Sequence, residues 1–314
     1  MSKLDLKFLE ELIFEQELRD ESVIMGPRYG EDSAVVKVGG DHLVIHPDPI
    51  SGAVDNIGWL SIHIPANDVA VSGAVPRWSL PTVQLPQDLE EEKIRAIFKD
   101  LFSAASELNI SVIGGHTERV RGIDRPLINN TMIGVTKKPI FTSGSQPGDK
   151  IVQINEGGIE GSWIIASDFY EICIDRGISE DTIQRIQGWK DDISVVEDAL
   201  KIKEKVTSMH DPTEGGVLQG LYEMAHASGN RFVIDKGIEV REETRVLCEK
   251  LGLDPLRLIS SGCLLATVQE GVDIEGGRTI GCVESVEPGL DYDGEEVEEI
   301  VEDELFRFID SCDS

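Results

Sequence analysis

The chain has 314 residues, 40% hydrophobic, with 31 glycines and a net charge of −30 from 59 acids against 29 lysines and arginines. That balance indicates an ordinary soluble α/β protein of about two domains. The acidity argues against DNA or RNA as a partner, because neutralising phosphates needs a basic surface.

No run approaches the roughly 18 apolar residues of a membrane helix. The N-terminus, Met1 to Glu10, alternates charged with apolar residues and lacks the apolar core of a signal peptide. No membrane association is expected, and the cytoplasm is the expected location. Five cysteines (Cys173, Cys248, Cys263, Cys282, Cys312) form no C-x-x-C pair and no zinc spacing. An odd, scattered set suits reduced thiols. An acidic protein that binds a polyphosphate should do so through backbone N–H groups and a divalent metal more than through lysine. The acidity is equally compatible with a salty cytoplasm.

In chain order, residues 4–19 read as a helix with Leu4, Phe8, Leu12 and Ile13 on one side. Gly30-Glu31-Asp32 is a turn with two acids, leading into the strand Ser33-Ala34-Val35-Val36. A second strand, His42-Leu43-Val44-Ile45, runs into His46-Pro47-Asp48-Pro49. Proline on both sides of Asp48 predicts that the strand stops there and presents a carboxylate from its end.

The segment Pro65-Ala66-Asn67-Asp68-Val69-Ala70-Val71-Ser72-Gly73-Ala74-Val75-Pro76 is the centre of this half. Ile57, Leu60, Ile64 and Val71 recur at helical spacing, with Gly73 as a stop and Pro76 beyond it. Asp68, flanked by Val69 and Val71, is expected in packed surroundings, where a carboxylate needs a cation or several hydrogen bonds. A turn-capping role for Asp68 is the plainer alternative.

A short strand, Thr82 to Leu85, is expected after Pro81. Asp88 and Glu91 make a capping-box pattern. Ile94, Ile97, Phe98, Leu101, Ala105 and Leu108 then form a helical stripe ended by Asn109. Ile110 to Ile113 reads as a buried strand feeding Gly114-Gly115-His116-Thr117-Glu118, where paired glycines can turn successive N–H groups toward one anion.

Another strand covers Asn129 to Val135. Lys137-Lys138-Pro139 and Gly144 to Asp149 look like a joint, so residues 1–139 and 140–314 are expected as two domains. The second half opens with a strand, Lys150 to Ile154, followed by a glycine-dense loop at Gly157 to Gly161 and a helix over Ser194 to Val206. His210-Asp211-Pro212-Thr213-Glu214-Gly215-Gly216-Val217 then puts an acid, a hydroxyl and two glycines at a helix start, where N–H groups attract phosphate. Pro212 marks the expected first turn, and Gly229 the end. From Glu284 to Ser314 thirteen acids face one base, Arg307, which reads as a solvated face and not as a site.

With these motifs in order, the chain resembles the superfamily of aminoimidazole-ribonucleotide (AIR) synthase, thiamine-monophosphate kinase, selenophosphate synthetase and the hydrogenase maturation protein HypE, and within it the HypE-like proteins. The carriers are Gly30 to Val35, Asp48, Asn67-Asp68 with Gly73 to Pro76, Gly114 to Glu118, Asp211 to Gly216, and Ser261-Gly262-Cys263-Leu264-Leu265.

The resemblance implies two α/β domains, an N-terminal sheet domain that pairs into a homodimer, and ATP at that interface with Mg²⁺ held by acids. By position, Asp32, Asp48, Asp68 and Asp211 would be metal ligands. Gly114 and Gly115 would line the phosphates, with Thr117, Asn67, Thr213, Gly215 and Gly216 as further nucleotide contacts. The implied activity is phosphoryl transfer from ATP to an oxygen or amide-type carbonyl of an unidentified substrate, a chemistry that needs mainly positioning and charge neutralisation. Thiamine-monophosphate-kinase-like activity, HypE-type maturation, and a catalytically silent nucleotide-binding dimer are the alternatives.

Three positions depart from the family pattern. Glu31 replaces the first Asp of Gly-Asp-Asp. His116 stands where kinase members carry the Asp of Gly-Asp-Thr. Cys312 lacks the Pro-Arg-Ile-Cys context of HypE, and with it the expected carbamoyl chemistry. A neutral imidazole is a poor ligand for a hard cation but a good hydrogen-bond partner for phosphate. His116 is therefore expected at the γ-phosphate or the reacting oxygen, with Glu118 near the metal. The plainer alternative is a ring bonded to a carbonyl beside the turn.

Overall fold

β-Branched runs punctuated by glycines build two separate sheets, each with its own helices. The computed structural model describes residues 10–14, 17–51 and 56–312. It divides into an N-terminal unit, Asp20–Gly26 with Asp32–Pro139, and a C-terminal unit, Ile140 onward with Pro27–Glu31 and the described residues before Asp20. Half of the helix expected over residues 4–19 falls outside the described residues, and residues 17–19 are not helical. Within it, Glu10–Phe14 makes a single π-helical turn on which Leu12 and Ile13 are exposed.

The N-terminal unit comprises strands β1 (Val23–Met25), β2 (Ala34–Val38) and β3 (Asp41–Ile50), helix α1 (Ile57–Val71), strand β4 (Val75–Pro86), helix α2 (Glu91–Glu107), and strands β5 (Ser111–Val112), β6 (His116–Val120) and β7 (Leu127–Thr136). The sheet order is β1-β2-β3-β7-β4-β5, with β6 also paired to β4.

Strand β3 runs straight through Pro47 and Pro49, so Asp48 lies within a strand, opposite Asn130 of β7, and not at a strand end. The last β2 pair is Ala34 with Ile45. Both prolines lie beyond it and two apart, so their missing donors face the same open edge, where a ladder tolerates proline. Strand β4 likewise starts earlier than expected and continues through Pro76 and Pro81, with a register shift between Pro76 and Trp78.

Every residue of α1 is buried, as expected of a helix that is apolar all round. Two glycines let it sit close. A Cβ on Gly58 would lie 2.2 Å from the Ile97 carbonyl of α2, and one on Gly134 of β7 would lie 2.3 Å from Val69. Pro65 stands inside α1 and cannot donate to the carbonyl four residues back, that of Ser61. That oxygen instead accepts from Asn130 Nδ2 at 2.5 Å, and Asn130 Oδ1 accepts from Ser79 Oγ at 2.8 Å. The broken helix bond is thus replaced by a bond to the sheet.

Helix α2 buries Ile97, Leu101, Ala104 and Ala105, but its start carries no side-chain cap, and the Asp88–Glu91 capping box does not form. Asn109, at φ 55, ends it. The expected buried strand after it is only two residues long, with Ser111 exposed and Ile113 56% exposed.

The C-terminal unit holds β8 (Lys150–Ile154), α3 (Ile159–Asp168), α4 (Tyr170–Asp175), α5 (Glu180–Gln187), α6 (Val196–Ile202), β9 (Ser208–His210), α7 (Gly216–Ser228), β10 (Arg231–Ile234), α8 (Glu242–Leu251), β11 (Leu264–Val268), β12 (Gly277–Glu284), β13 (Gly289–Tyr292), β14 (Glu295–Val297) and α9 (Glu304–Cys312). Its sheet runs β14-β13-β10-β12-β8-β11-β9. Helix α7 packs Val217, Leu221 and Met224 into a core with Phe232, Leu265 and Leu290. It begins at Gly216, four residues later than Pro212 suggests, because Gly215 takes a left-handed conformation at the cap.

The acidic tail is more than a solvated face. It supplies two strands and a helix, and Asp303 is only 4% exposed. Among the described residues no helix is long and apolar enough to cross a membrane.

Candidate functional site

The N-terminal sheet has two unlike faces, and they sort the expected site residues. The Asn130–Ser61 bond shows which face meets α1. Strand alternation and register then place Val44, His46 and Asp48 of β3 on that face, with Met132 and Asn130 opposite the last two.

Asp68, 5% exposed, and Asn67, wholly buried, come to the same region from α1. His46 is the junction. Its Nε2 lies 3.4 Å from Asp68 Oδ2, and its Nδ1 lies 2.5 Å from the Asp32 carbonyl. His46 therefore holds the turn after Glu31 against the buried carboxylate. The signal in the sequence is its spacing of two from Asp48, which puts both on one strand face.

His116 and Glu118 lie on the other face. Strand β6 runs parallel to β4, pairing His116 with Thr82 and Glu118 with Gln84. Gln84 Nε2 donates to Glu118 Oε1 at 3.4 Å. Thr82 and Gln84 alternate with Val83, which is fully buried toward α1. Thr117, opposite Val83, faces the α1 side. The structure therefore does not bring His116 and Glu118 together with Asp48 and Asp68 in one chain. Instead they meet each other, with His116 Nε2 3.7 Å from Glu118 Oε2, and both side chains are largely exposed. Gly115 has φ 140 and sits so close to β4 that a Cβ would lie 2.3 Å from the Pro81 carbonyl. It is the residue that lets the loop re-enter the sheet edge.

Glu31 acts elsewhere. Its carboxylate accepts the N–H groups of Thr142 and Ser143 at 3.1 and 2.9 Å and the Ser143 hydroxyl at 2.5 Å, all within the C-terminal unit. The first acid of the Gly30-Glu31-Asp32 turn is thus spent on anchoring.

In the C-terminal unit, Asp211 follows β9 and is 1% exposed. Beside it His210 Nε2 lies 3.2 Å from Glu223 Oε2, and Gln219 Nε2 donates to Glu223 Oε1 at 2.9 Å. Gln219 also reaches Tyr29, whose hydroxyl donates to Glu299 at 3.0 Å. Burial first, then the charges of Glu223 and Glu299, push the Tyr29 phenol well above its usual range, so it stays a neutral donor.

The start of α7 is not open. Gly215 N–H donates to Asp303 Oδ2 at 2.6 Å, Gly216 N–H to the Thr213 carbonyl at 3.0 Å, and Leu218 N–H to the Leu256 carbonyl at 3.2 Å. A Cβ on Gly216 would lie 2.5 Å from the Leu256 carbonyl. Gly215 and Gly216 therefore serve here as packing glycines whose donors are used within the chain, and Thr213 supplies a backbone acceptor to the same turn. Asp303 also accepts from Leu305 N–H at 2.7 Å. Burial nevertheless outweighs these bonds and pushes its carboxyl up to about 7.

Among the described residues no group of three or more His, Cys, Asp or Glu side chains is spaced to hold a metal. Within the N-terminal unit, Asp32, Asp48 and Asp68 form no protein cage of that kind; Asp211 belongs to the C-terminal unit. Two carboxylates on facing elements, Asp48 and Asp68, do fit the oxygen chemistry of Mg²⁺, which is commonly held by one or two carboxylates with phosphates and water completing its shell. All five cysteines are free thiols, and Cys173, Cys248 and Cys263 are buried.

Comparison with known proteins agrees with this architecture. Residues 30–136 match the AIR synthase related protein, N-terminal domain, and residues 146–275 match the C-terminal domain of the same family. The carbamoyl dehydratase HypE of Cupriavidus necator is 30% identical over 251 residues, covering 76% of this chain and 69% of that protein. Among solved structures, AaThiL complexed with AMPPCP and TMP superposes with a TM-score of 0.77 at 20% identity, covering 94% of this chain and 97% of that one. The hydrogenase maturation protein HypE in complex with ATP gives a TM-score of 0.67 at 22% identity, covering 96% of each chain. The two-unit α/β architecture, the order of the motifs and the two matched domains lead to one conclusion: this chain belongs to the AIR synthase related family, with HypE among its relatives.

Proposed function

We propose that this protein is an ATP- and Mg²⁺-dependent enzyme that transfers the γ-phosphoryl group of ATP to an oxygen of an amide- or carbonyl-bearing substrate. The bond from the γ-phosphorus to the β,γ-bridging oxygen breaks, a bond to the substrate oxygen forms, and ADP leaves. The observation that carries this reading is the buried Asp68, held by His46 beside Asp48, in a fold whose solved relatives bind ATP or AMPPCP. Asp48 and Asp68 are the residues that would hold Mg²⁺, which would neutralise phosphate charge. Asn67, Gly114, Gly115 and Thr117 are the proposed nucleotide contacts of the same unit.

The working form in this reading is a homodimer built on the N-terminal unit. Both helices of that unit lie on one side of its sheet. The opposite face carries Leu43, Ile45, Trp78, Leu80, Ile133 and Val135, all half-buried, an apolar surface of the kind that marks an interaction site. His116 and Glu118 stand on that face. Their proposed contact with the γ-phosphate and the metal cannot be made beside Asp48 and Asp68 of the same chain, and in this reading it requires the second protomer.

Calorimetric titration with MgATP tests the proposal. The wild type should bind, and Asp68→Asn, checked for an unchanged melting temperature, should not. Equal MgATP affinity in the two proteins would return Asp68 to a structural role. Release of ADP separates an enzyme from a silent nucleotide-binding dimer.

A second reading, carbamoyl dehydratase chemistry on Cys312, is favoured by the HypE relative and by the half-buried position of this thiol at the end of α9. Cys312→Ser is expected to leave ATP hydrolysis unchanged. A carbamoyl or cyano adduct on Cys312, seen by mass spectrometry, would favour the second reading over the first.

A further inference from the structure

Away from these residues the C-terminal unit contains an open surface pocket of about 600 Å³ between the loop Gly237–Arg241, the first turn of α8 and the start of β12. In a chain of net charge −30, three arginines converge on it: Arg241, Arg245 and Arg278.

Two of them are fixed in place. Arg241 donates to Glu156 at 3.2 Å and to Asp192 at 2.7 Å, and its guanidinium lies 4.5 Å from the centre of the Trp189 ring. Arg278 pairs with Glu239 and reaches the Lys236 carbonyl at 3.3 Å. Arg245 differs. Its Nε is tied to the Val240 carbonyl at 3.2 Å, which sets the orientation of the guanidinium. Its two terminal nitrogens have no partner among the described residues. Such an oriented fork matches a carboxylate or phosphate through two parallel bonds.

The wall also carries acids. Glu156 and Glu239 are taken by Arg241 and Arg278, and Glu243 by Arg185 at 3.5 Å. Glu242, three residues before Arg245 and so on the same side of α8, carries no ion pair among the described residues. The pocket thus offers one oriented cation and one uncommitted carboxylate on neighbouring positions. A multiply charged phosphate would meet repulsion from Glu242. A molecule with a carboxylate at one end and an ammonium at the other would satisfy both groups.

We propose that this pocket is a second ligand site that takes a small zwitterion of the amino-acid class, its carboxylate on Arg245 and its ammonium on Glu242. The site is independent of the nucleotide reading, and its test uses no nucleotide.

Ligand-observed saturation-transfer NMR on the full-length protein with a mixture of the twenty common L-amino acids is the first measurement, with acetate and inorganic phosphate in parallel samples. One or more amino acids should show transfer well above acetate and phosphate. The signal should fall at least tenfold in Arg245→Gln. Glu242→Gln should bring amino acids and acetate to similar, weak levels. Both side chains are exposed, so the variants should keep the wild-type melting temperature. No amino-acid signal in the wild type, a signal unchanged in Arg245→Gln, or binding of phosphate alone would each overturn the assignment.

Discussion

The chain contains two Gly-Gly pairs in motifs that look alike on paper, and the structure uses them in opposite ways. Gly114-Gly115 leads into an exposed strand at the sheet edge, with His116, Thr117 and Glu118 open to solvent. Gly215-Gly216 is packed beneath the segment Leu256 to Leu258, and its donors go to Asp303 and Thr213. A glycine pair reports that the backbone needs room or a positive φ. Whether its N–H groups are available to a phosphate depends on what else approaches, and here that is a carboxylate 88 residues further along the chain.

Substitutions can break this comparison. The largest effect is expected from Gly216→Ala. With φ at +69 and carbonyl oxygens of Leu256 and Leu258 at 2.5 and 2.8 Å from the new Cβ, the helix start must move. A loss of roughly 3 kcal/mol or more is expected, at the high end for single substitutions, and urea denaturation would measure it. A loss below 1 kcal/mol would mean that the packing around α7 yields easily.

Asp303→Asn comes next. The folded carboxyl titrates near 7, against an ordinary value of 3.8, because burial disfavours its charge. A raised carboxyl pKa gives a contribution to stability that is complete below the unfolded value and is lost as pH rises through the folded one. Wild-type stability should therefore include a component that declines between about pH 4 and about pH 7. Asn cannot titrate, and its NH2 group cannot accept from an N–H, which the hydroxyl oxygen of a protonated carboxyl still can. The variant should be less stable at pH 4, by on the order of 1–3 kcal/mol, and should lack that slope. Parallel stability curves for the two proteins would show that the charge at Asp303 is not linked to folding.

At the open motif, smaller changes in stability are expected. His116→Ala should alter folding stability by no more than about 0.5 kcal/mol, as for an exposed side chain. On the proposed function it should lower turnover far more than MgATP affinity, while Glu118→Gln weakens the dependence on metal. Equal and minor effects of both on turnover would reduce this loop to a shaping role. The smallest effect belongs to Gly114→Ala. The nearest atom to a new Cβ there is Leu80 Cδ2 at 3.5 Å, an ordinary contact, and the melting temperature should scarcely move. A large loss would make the two glycine pairs alike after all.

Much of the scaffold could be read from the residues alone. The spacing of Ile57, Leu60, Ile64 and Val71 locates α1, and the β-branched run at Lys150 to Ile154 is a strand from end to end. Local rules failed where tertiary pairing overrides them. Prolines at 47 and 49 forecast a strand end, yet β7 keeps pairing with β3 as far as Ile50. The pattern at Asp88 and Glu91 forecast a cap that is absent.

In the candidate site, Asp68 was legible because an acid inside an apolar helix demands an explanation. His46 was not, because its role comes from two contacts distant in sequence. The sorting of His116 and Glu118 onto the opposite face depends on strand register, which a sequence with no marked alternation at β6 does not specify. Asp303 was hidden in a run of acids whose members look interchangeable until one of them is buried.

The replacement bond around Pro65 has an evolutionary consequence. Asn130 is needed at Ser61 because proline cannot serve that carbonyl. Replacing Pro65 by alanine restores a donor from within the helix, after which the amide at position 130 becomes redundant at that oxygen. The cost of losing Asn130 therefore depends on which residue occupies position 65. With proline present, a change to leucine strands the Ser61 carbonyl and the Ser79 hydroxyl together. With alanine present, only Ser79 needs a new partner. The two sites are epistatic, and the route from one pairing to the other is directional: substitution at 65 opens the way for substitution at 130, while the reverse order passes through a destabilised intermediate.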